Sequence, residues 1–433
     1  MMQAGTPDNE NLTLCSPRPS TGLDPNKAVI TRSAKPDYCP PNHVLIKVDR
    51  FGFSANNITY QSLGEHPHFR YFDFHPAPEA EGVSQKSHGL IPVWGFGTVV
   101  TSTHPKIREG ERVYGYLAPT RYLLVPVSPS DVNKHAFYVP RPHLPADRRP
   151  YNQLLRCETD PQYTPTPYAE DLTMLYRPLF WTSYWCEDWL HASEYRGGVD
   201  SILISSASSK TAFCLAYLIK KRISRSELNT TVKIIGLTSK RNVGFTQRLN
   251  LYDEVLDYDS FTASQAMSQG KDRRWIYADV AGNDDLNKRI CAHFASPYAG
   301  RLVACISLGM TNLTPSSESP IDWKKNSFDS SVSSGDLTAP TSNFWPQFEQ
   351  FFMVEWLNVR RHQLPIDEIF TRQNQAWKEL LADCADWVQL ERVNGAVAVK
   401  SAYNRLAKEG LGPDKGLIWS MWDEERTWNL SRL

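Results

Sequence analysis

The sequence predicts an α/β protein: a β-rich domain followed by a doubly wound parallel sheet. Short runs that alternate apolar and polar residues, broken by glycine and proline, occupy residues 44 to about 128. From about residue 176, strand-like and helix-like runs alternate, the rhythm that βαβ units with helices of roughly 10–15 residues produce. The strand-like runs of this second part are almost continuously apolar, as strands covered on both faces are.

Residues 1–28 are polar and rich in Pro, Asn, Ser and Thr, and are expected to be a disordered leader. HVLIKVDRFGFS, from His43, alternates like a half-buried strand. SANNITYQSLG then reads as a short helix with a polar start, and EHPHFRYFDFHPAP as a loop dense in His, Pro and aromatics. IPVWGFGTVVTS, GERVYGYL and RYLLVPVS follow as short strands. RPLFWTSYWCEDWLHASEY has helical spacing, and SILISSAS reads as a strand followed by the helix SKTAFCLAYLIKKRI. VKIIGLTS, EVLDYD, RWIYADVAG and RLVACISLG read as further strands, with helices at VGFTQRLNLY and DLNKRICAHF. Residues 314–343 are rich in Ser, Pro and Asp without periodicity, and are expected to be a surface insertion. An amphipathic helix near Trp377 and Trp387, a second helix, a Gly-Pro turn and a last strand complete the chain. The tryptophan stripe fits a core or an interface equally well. The domains expected are 29–176, completed by 344–433, and 177–343 with its insertion.

A chain of 433 residues has room for two domains. Lys+Arg and Asp+Glu both number 47, so neither nucleic acid nor an anionic membrane is indicated as a partner. No window approaches the roughly 20 apolar residues of a membrane helix, and no signal peptide is seen at the start. The eight cysteines show no CxxC pair or cluster and read as reduced thiols, so the cytoplasm is the expected compartment.

The turn in ILISSASSKTAF carries the functional question. Three readings stand. An ATP-binding P-loop needs glycines where this chain has Ile204 and Ser209, although Lys210 and Thr211 supply its last two positions. A dinucleotide turn needs a strand, a tight turn and a helix N-terminus aimed at a pyrophosphate. Here Ser206, Ser209 and Ala212 stand where its glycines would. Small residues still permit close approach, and Ser206, Ser208, Ser209, Lys210 and Thr211 offer contacts to phosphate. The third reading is a serine-capped helix that holds nothing. The next strand ends in Thr238, Ser239, Lys240 and Arg241. An NAD site places a carboxylate there for the ribose, whereas two cations suit the 2′-phosphate of NADPH.

The order of these segments resembles the medium-chain dehydrogenase/reductase superfamily, in the zinc-free quinone/enoyl reductase manner. VLIKVDRFGFSANNITYQSLG is similar to its first strand and helix, WGFGTVVTSTHPKIREGERVYGYL to its second signature, and ILISSASSKTAFCLAYLIK to its phosphate turn. GLTSKRNVGFTQRLNLYDEVLDYD, IYADVAGN, LVACISLG and the closing GAVAVKSAYNRLAKEGLGPDKGLIWSM continue the match over residues 43 to about 420. More closely the chain resembles a branch catalogued as a domain of unknown function and found beside fungal biosynthetic enzymes. The resemblance implies a GroES-like β domain joined to a Rossmann-like domain, NADPH as cofactor, a small-molecule substrate of secondary metabolism, and often a homodimer. Ser54, Trp94 and Trp181 stand at the zinc-ligand positions, which implies metal-free chemistry.

On that resemblance Tyr60 falls near the proton-donating tyrosine of enoyl reductases, with Asn57 in the same helix beside the substrate. Thr182 falls near the nicotinamide, and Gly282, Ser307 and Gly309 follow or end strands whose carboxyl ends form the binding crevice. In the loop after the first helix, His66, His68 and Arg70 suit an acidic substrate. With Glu65, Asp73 or His75 the same histidines suit a metal, and an ordinary surface loop is the third alternative. The reaction expected is NADPH-dependent reduction of an α,β-unsaturated or carbonyl small molecule. A lyase, dehydratase or cyclase on the same scaffold, or a non-catalytic binding protein, is the alternative.

Overall fold

A computed structural model describes residues 9–67, 69–268, 270–296, 298–308, 348–351 and 353–423, without the side chains of Ala55, Ala146 and Asp147. His68, Gly309 and the serine-rich stretch 314–343 lie outside the described residues. The described chain divides into two compact units, one of residues 9–175 and 377–423, the other of 176–308 and 348–376.

The first unit is built on an eight-stranded sheet. Its strands are β3 (His43–Phe53), β5 (Val93–Ser102), β6 (Arg112–Leu117), β7 (Tyr122–Pro126), β8 (Ala136–Tyr138), β9 (Gln153–Arg156), β16 (Gln389–Asn394) and β17 (Lys415–Ser420). The order is β16-β17-β3-β5-β6-β9-β8, with β7 on β3, and every pairing but β16–β17 is antiparallel. A smaller sheet joins β1 (Glu10–Pro17) to β2 (Val29–Ala34) and β4 (His88–Gly89).

The disordered leader expected over 1–28 is therefore corrected. Residues 10–17 form a strand that is buried from Leu12 to its end. The Leu14 N–H reaches Pro119 O at 2.9 Å, and the Thr13 and Thr120 hydroxyls meet at 2.7 Å. The polar composition misled because Asn and Thr here spend their side chains on backbone and hydroxyl partners. Asn11 Oδ1 accepts from the Tyr122 N–H at 2.8 Å, and Asn11 Nδ2 donates to Tyr122 O at 2.9 Å.

The C-terminal strand β17 returns to this sheet and pairs with β3. Trp419 stacks on Phe53 with centroids 4.2 Å apart, and Trp422 Nε1 donates to Val48 O at 2.7 Å. Trp377 is fully buried and donates to Gln162 O at 3.1 Å, so it is a core residue and not an interface one.

A buried ion network holds these segments in register. Arg112 engages Glu170 through two bonds of 2.6 Å, and Arg50 reaches the same carboxylate at 2.8 Å. Arg112 also meets Asp49 at 2.5 Å, and Tyr163 donates to Glu170 at 2.8 Å. Asp171 takes Arg392 at 2.6 Å and stands 3.0 Å from Arg50 Nε, a charge contact without hydrogen-bond alignment. Burial raises the pKa of Asp171 in spite of Arg50 and Arg392.

The second unit carries a six-stranded, wholly parallel sheet. Its strands are β10 (Ser201–Ile204), β11 (Lys233–Thr238), β12 (Glu254–Asp257), β13 (Arg274–Asp279), β14 (Arg301–Ser307) and β15 (Phe348–Gln350). Their order is β12-β11-β10-β13-β14-β15. Numbered within the unit this is 3-2-1-4-5-6, the Rossmann order, whose direction reverses between β10 and β13. The helices Lys210–Ser224, Val243–Arg248 and Asp284–Phe294 connect the strands. The boundary expected at 344 moves, because β15 and the helices Met353–Gln363 and Ile366–Asp383 start beyond it and lie in this unit up to residue 376.

Removing Glu170 by Glu170→Ala leaves Arg112 buried without its main partner, and should lower stability by about 3 kcal/mol or more. Urea unfolding of wild type and variant checks this; a loss below about 1 kcal/mol would show that Asp49 and Asp171 suffice.

Candidate active site

In the second unit, residues 205–209 bridge β10 and the Lys210–Ser224 helix. Ser206 stands at φ +52°, in the left-handed region where a glycine is ordinarily found. The turn thus sets a serine in a conformation that glycine ordinarily takes. Close packing is supplied from the neighbouring strand: a Cβ on Gly236 would stand 2.8 Å from the Ala207 Cβ.

The serine side chains of the turn bind protein groups. Ser205 Oγ donates to Asp279 Oδ1 at 3.0 Å and accepts from the Val280 and Ala281 N–H groups at 2.9 and 3.0 Å. This clamps together the carboxyl ends of β10 and β13, the two strands that flank the reversal point. Asp279 also accepts from the Gly282 N–H at 2.9 Å and Asn287 Nδ2 at 2.8 Å. Burial raises its pKa, against these bonds. Ser208 Oγ accepts from Thr238 Oγ1 at 3.0 Å and Asn242 Nδ2 at 3.1 Å. Ser209 caps the helix by accepting from the Ala212 N–H at 3.3 Å. Two phenols finish the turn: Tyr258 OH accepts the Ser206 N–H at 3.0 Å, and Tyr252 OH donates to Ala207 O at 2.9 Å.

Lys210 is buried at the helix start, and Thr211 O accepts from Ser183 Oγ at 2.8 Å. Thr182, on the preceding helix, turns its hydroxyl back to Pro178 O at 3.4 Å. After β11, Lys240 and Arg241 are both exposed on a single turn. Ser239 Oγ beside them is buried without a hydrogen-bond partner. Ser307 ends β14, and its carbonyl takes the Phe351 N–H at 3.1 Å and Gln350 Nε2 at 3.2 Å.

In the first unit, Tyr60 lies in the helix Ala55–Ser62 and is 5% exposed. Asn56 Nδ2 donates to its hydroxyl at 2.7 Å. Tyr71 packs on it at 4.3 Å and Tyr116 edge-on at 5.7 Å. Trp94 and Tyr151 each stand 5.0 Å from the Tyr116 ring. Burial raises the Tyr60 pKa, with Trp94, Tyr116 and Asn56 opposing, so it is a neutral phenol at physiological pH. The Tyr116 hydroxyl and Trp94 Nε1 are buried without a hydrogen-bond partner.

Three residues expected to meet substrate are engaged otherwise. Asn57 is a helix-start residue: its Oδ1 accepts from the Ser54 N–H at 2.9 Å and its Nδ2 donates to Pro92 O at 3.1 Å. Arg70 is paired with Asp73 at 2.7 Å and bonded to His143 O. His66 packs against Phe69, 5.1 Å between centroids. The other members of the suggested metal set are likewise occupied. Glu65 accepts from the Ser20 N–H at 2.8 Å, and His75 Nε2 lies 3.1 Å from Tyr116 O. Sequence reading passed over Trp94, Tyr116, Tyr252 and Tyr258 as polar groups, because an aromatic in an apolar run signals core and says nothing of where its polar atom points.

Taken together, a β domain closed by the C-terminal strand and a 3-2-1-4-5-6 parallel sheet make the GroES-like plus Rossmann-like architecture of the medium-chain dehydrogenase/reductase superfamily. The structure of CurA from Vibrio vulnificus superposes with a TM-score of 0.55 at 14% identity, over 96% of this chain and 100% of that one. CurA in complex with NADPH gives 0.54 at 13%, over 95% and 98%. The quinone oxidoreductase from Coxiella burnetii gives 0.51 at 14%, over 95% and 99%. At such identities the likeness is one of fold. Residues 51–412 match the family described as protein of unknown function (DUF2855), and the chain belongs to that family. No curated protein matches the chain. Among the described residues no helix is long and apolar enough to cross a membrane.

His75 yields a pH test. Burial, then the Arg141 guanidinium, lowers its pKa from 6.5 to about 3, against its bond to Tyr116 O. The folded protein thus binds fewer protons than the unfolded chain between these values. The stability this confers is complete above pH 6.5 and is lost as pH falls towards 3. His75→Gln keeps a donor for Tyr116 O without titrating, so its melting temperature should fall less steeply than wild type between these limits. Parallel slopes would show that His75 is not held neutral.

Proposed function

We propose that the protein is an NADPH-dependent, metal-free reductase of an α,β-unsaturated or carbonyl small molecule, acting in the cytoplasm on a biosynthetic intermediate. The observation that carries this is the turn at the reversal point of the parallel sheet. Ser206 holds the left-handed form there without being glycine, and a capped helix N-terminus follows. Strain of this kind persists where the surroundings enforce it and is concentrated at functional sites. The similar structure of CurA is a complex with NADPH.

The residues present fit the cofactor. The N-terminus of the Lys210–Ser224 helix, with Lys210 and Thr211, suits the pyrophosphate. Lys240 and Arg241 suit the 2′-phosphate, and the unpartnered Ser239 hydroxyl offers a donor beside them. Gly282, Ser307 and Thr182 line the remaining crevice in this reading. When bound, NADPH supplies hydride from C4 of its nicotinamide. Tyr60 holds the proton: its oxygen accepts from Asn56, which leaves its own O–H for the substrate. A homodimer belongs to the reading as well; Val354, Val359, Ile366 and Phe370 expose apolar surface for a second copy.

A second reading has its own observation. The Ser206 N–H and the Ser208 hydroxyl already have protein partners, as a turn that holds nothing would. A non-redox lyase, dehydratase, cyclase or binding protein would follow from it.

Calorimetric titration with NADPH, NADH and ATP separates the two. NADPH should bind, and the double variant Lys240→Ala/Arg241→Ala should weaken it about tenfold or more while leaving NADH little changed. Absence of NADPH binding at millimolar concentration would discard the reductase. Tyr60→Phe should lower kcat on the order of 10²-fold with NADPH affinity intact. An unchanged kcat would assign the proton to water.

A further inference from the structure

The tyrosine cluster of the first unit contains polar atoms that the reaction sketched above does not use. Trp94 and Tyr116 face each other across β5 and β6 as register partners. Trp94 Nε1 and the Tyr116 hydroxyl are both buried without a hydrogen-bond partner. The Tyr116 ring stands 5.7 Å from that of Tyr60 and 5.0 Å from that of Trp94, and the Tyr60 oxygen already accepts from Asn56. An indole N–H can only donate, and the Tyr60 O–H has its own proton left to give. The place therefore holds more donors than acceptors. Buried donors cost free energy until an acceptor arrives, so an incoming oxygen with two or more lone pairs is what this group of atoms selects.

The surroundings narrow the ligand. The neighbouring groups are the rings of Tyr60, Tyr71, Trp94, Tyr116, Tyr151 and Phe74, whose faces suit contact with a flat, conjugated molecule. Two guanidinium groups flank the cluster: Arg148 stands over the Phe69 and Tyr151 rings, and Arg141 over Phe74. His75, behind Tyr116, is neutral. Trp94, Tyr151 and Asn56 are the partly exposed members.

We propose that Trp94 Nε1–H, Tyr116 O–H and Tyr60 O–H together hold the carbonyl oxygen of a planar, conjugated substrate and the negative charge that develops on it. The substrate class is thereby an enone or a related unsaturated carbonyl compound. The chemical step rests on the reductase reading; the binding step does not. Were hydride supplied at the β-carbon, the displaced π pair would come to rest on the carbonyl oxygen, and the three donors would hold that charge. Tyr60 then gives its proton to that oxygen, and the resulting enol tautomerises to the saturated carbonyl product.

The probe is 4-nitrophenol, a flat molecule whose phenolate oxygen resembles the enolate, titrated without cofactor into the full-length protein. Absorbance reports its ionisation and tryptophan fluorescence its binding. It should bind as the phenolate, with its pKa lowered on binding. Tyr116→Phe and Trp94→Phe should each weaken phenolate binding about tenfold or more. The Tyr116→Phe melting temperature should not fall, because the hydroxyl has no bond to lose in the free protein. Absence of phenolate binding at about millimolar concentration, or wild-type binding by both variants, would overturn the proposal. So would a lower melting temperature for Tyr116→Phe, which would show that its hydroxyl has a structural partner. Failure of NADPH to bind, with phenolate binding intact, would remove the reductase and leave the three-donor site standing.

Discussion

Two adjacent carboxylates, Glu170 and Asp171, are almost wholly buried, and a buried charge cannot be left alone. Their guanidinium partners come from β3, β6 and β16, segments as distant in sequence as Arg50, Arg112 and Arg392. Satisfying this pair forces the C-terminal segment back onto the N-terminal sheet. It also sets the register of β6 on β5. Arg112 lies opposite Thr98, and its guanidinium covers the Phe96 ring at 5.2 Å. Residues two apart share a face of a strand, so Arg112, Tyr114 and Tyr116 line up along β6 as Thr98, Phe96 and Trp94 do along β5. The ladder starts at the ion network and ends at the three donors. A slip of one residue would turn Tyr116 to the other face and disperse them.

The second unit buries a carboxylate as well, Asp279, and surrounds it with neutral donors. Strand order reverses between β10 and β13, which pair as parallel neighbours up to Ile204 and Ala278, and side chains extend the join at their carboxyl ends. Ser205 and Asp279 join them with a side-chain bond, and the Asp279 carboxylate organises the N–H of Gly282 and the amide of Asn287. The turn that follows replaces glycine with serine and compensates from outside. Tyr258 and Tyr252 brace its backbone, and Gly236 gives Ala207 the room to approach. The device costs flexibility at the turn and needs two phenols in place.

Most of the architecture was legible because it depends on short-range patterning. Continuous apolar runs mark the parallel strands, period-2 alternation marks β3, and Ser209 marks the helix start. The strand Glu10–Pro17 was hidden because polar residues were buried by mutual hydrogen bonding, which leaves no hydrophobic signal. β16, QLERVN, was hidden for a related reason: as an outer strand it exposes charged residues, and only its pairing to β17 makes it a strand. At the candidate sites, the serine turn and the Lys240–Arg241 pair were named from local sequence, and Tyr60 from the family resemblance. Asn57, Arg70 and His66 were named as well, but nearby groups take up their side chains: a cap, an ion pair and a ring contact.

The sequence by itself determined the fold class, the place of the turn and the basic residues that follow the second parallel strand. Those features are written in residue type and spacing along a few dozen positions. Which polar atoms end without a partner is a different kind of property. It depends on every neighbour that could have supplied one, and the neighbours of Tyr60 come from β5, β6 and the loop that carries Tyr71. The unpartnered indole of Trp94 and hydroxyl of Tyr116 were thus decided by tertiary structure alone. Packing brings those residues together across two strands and a helix, and no run of adjacent residues records it.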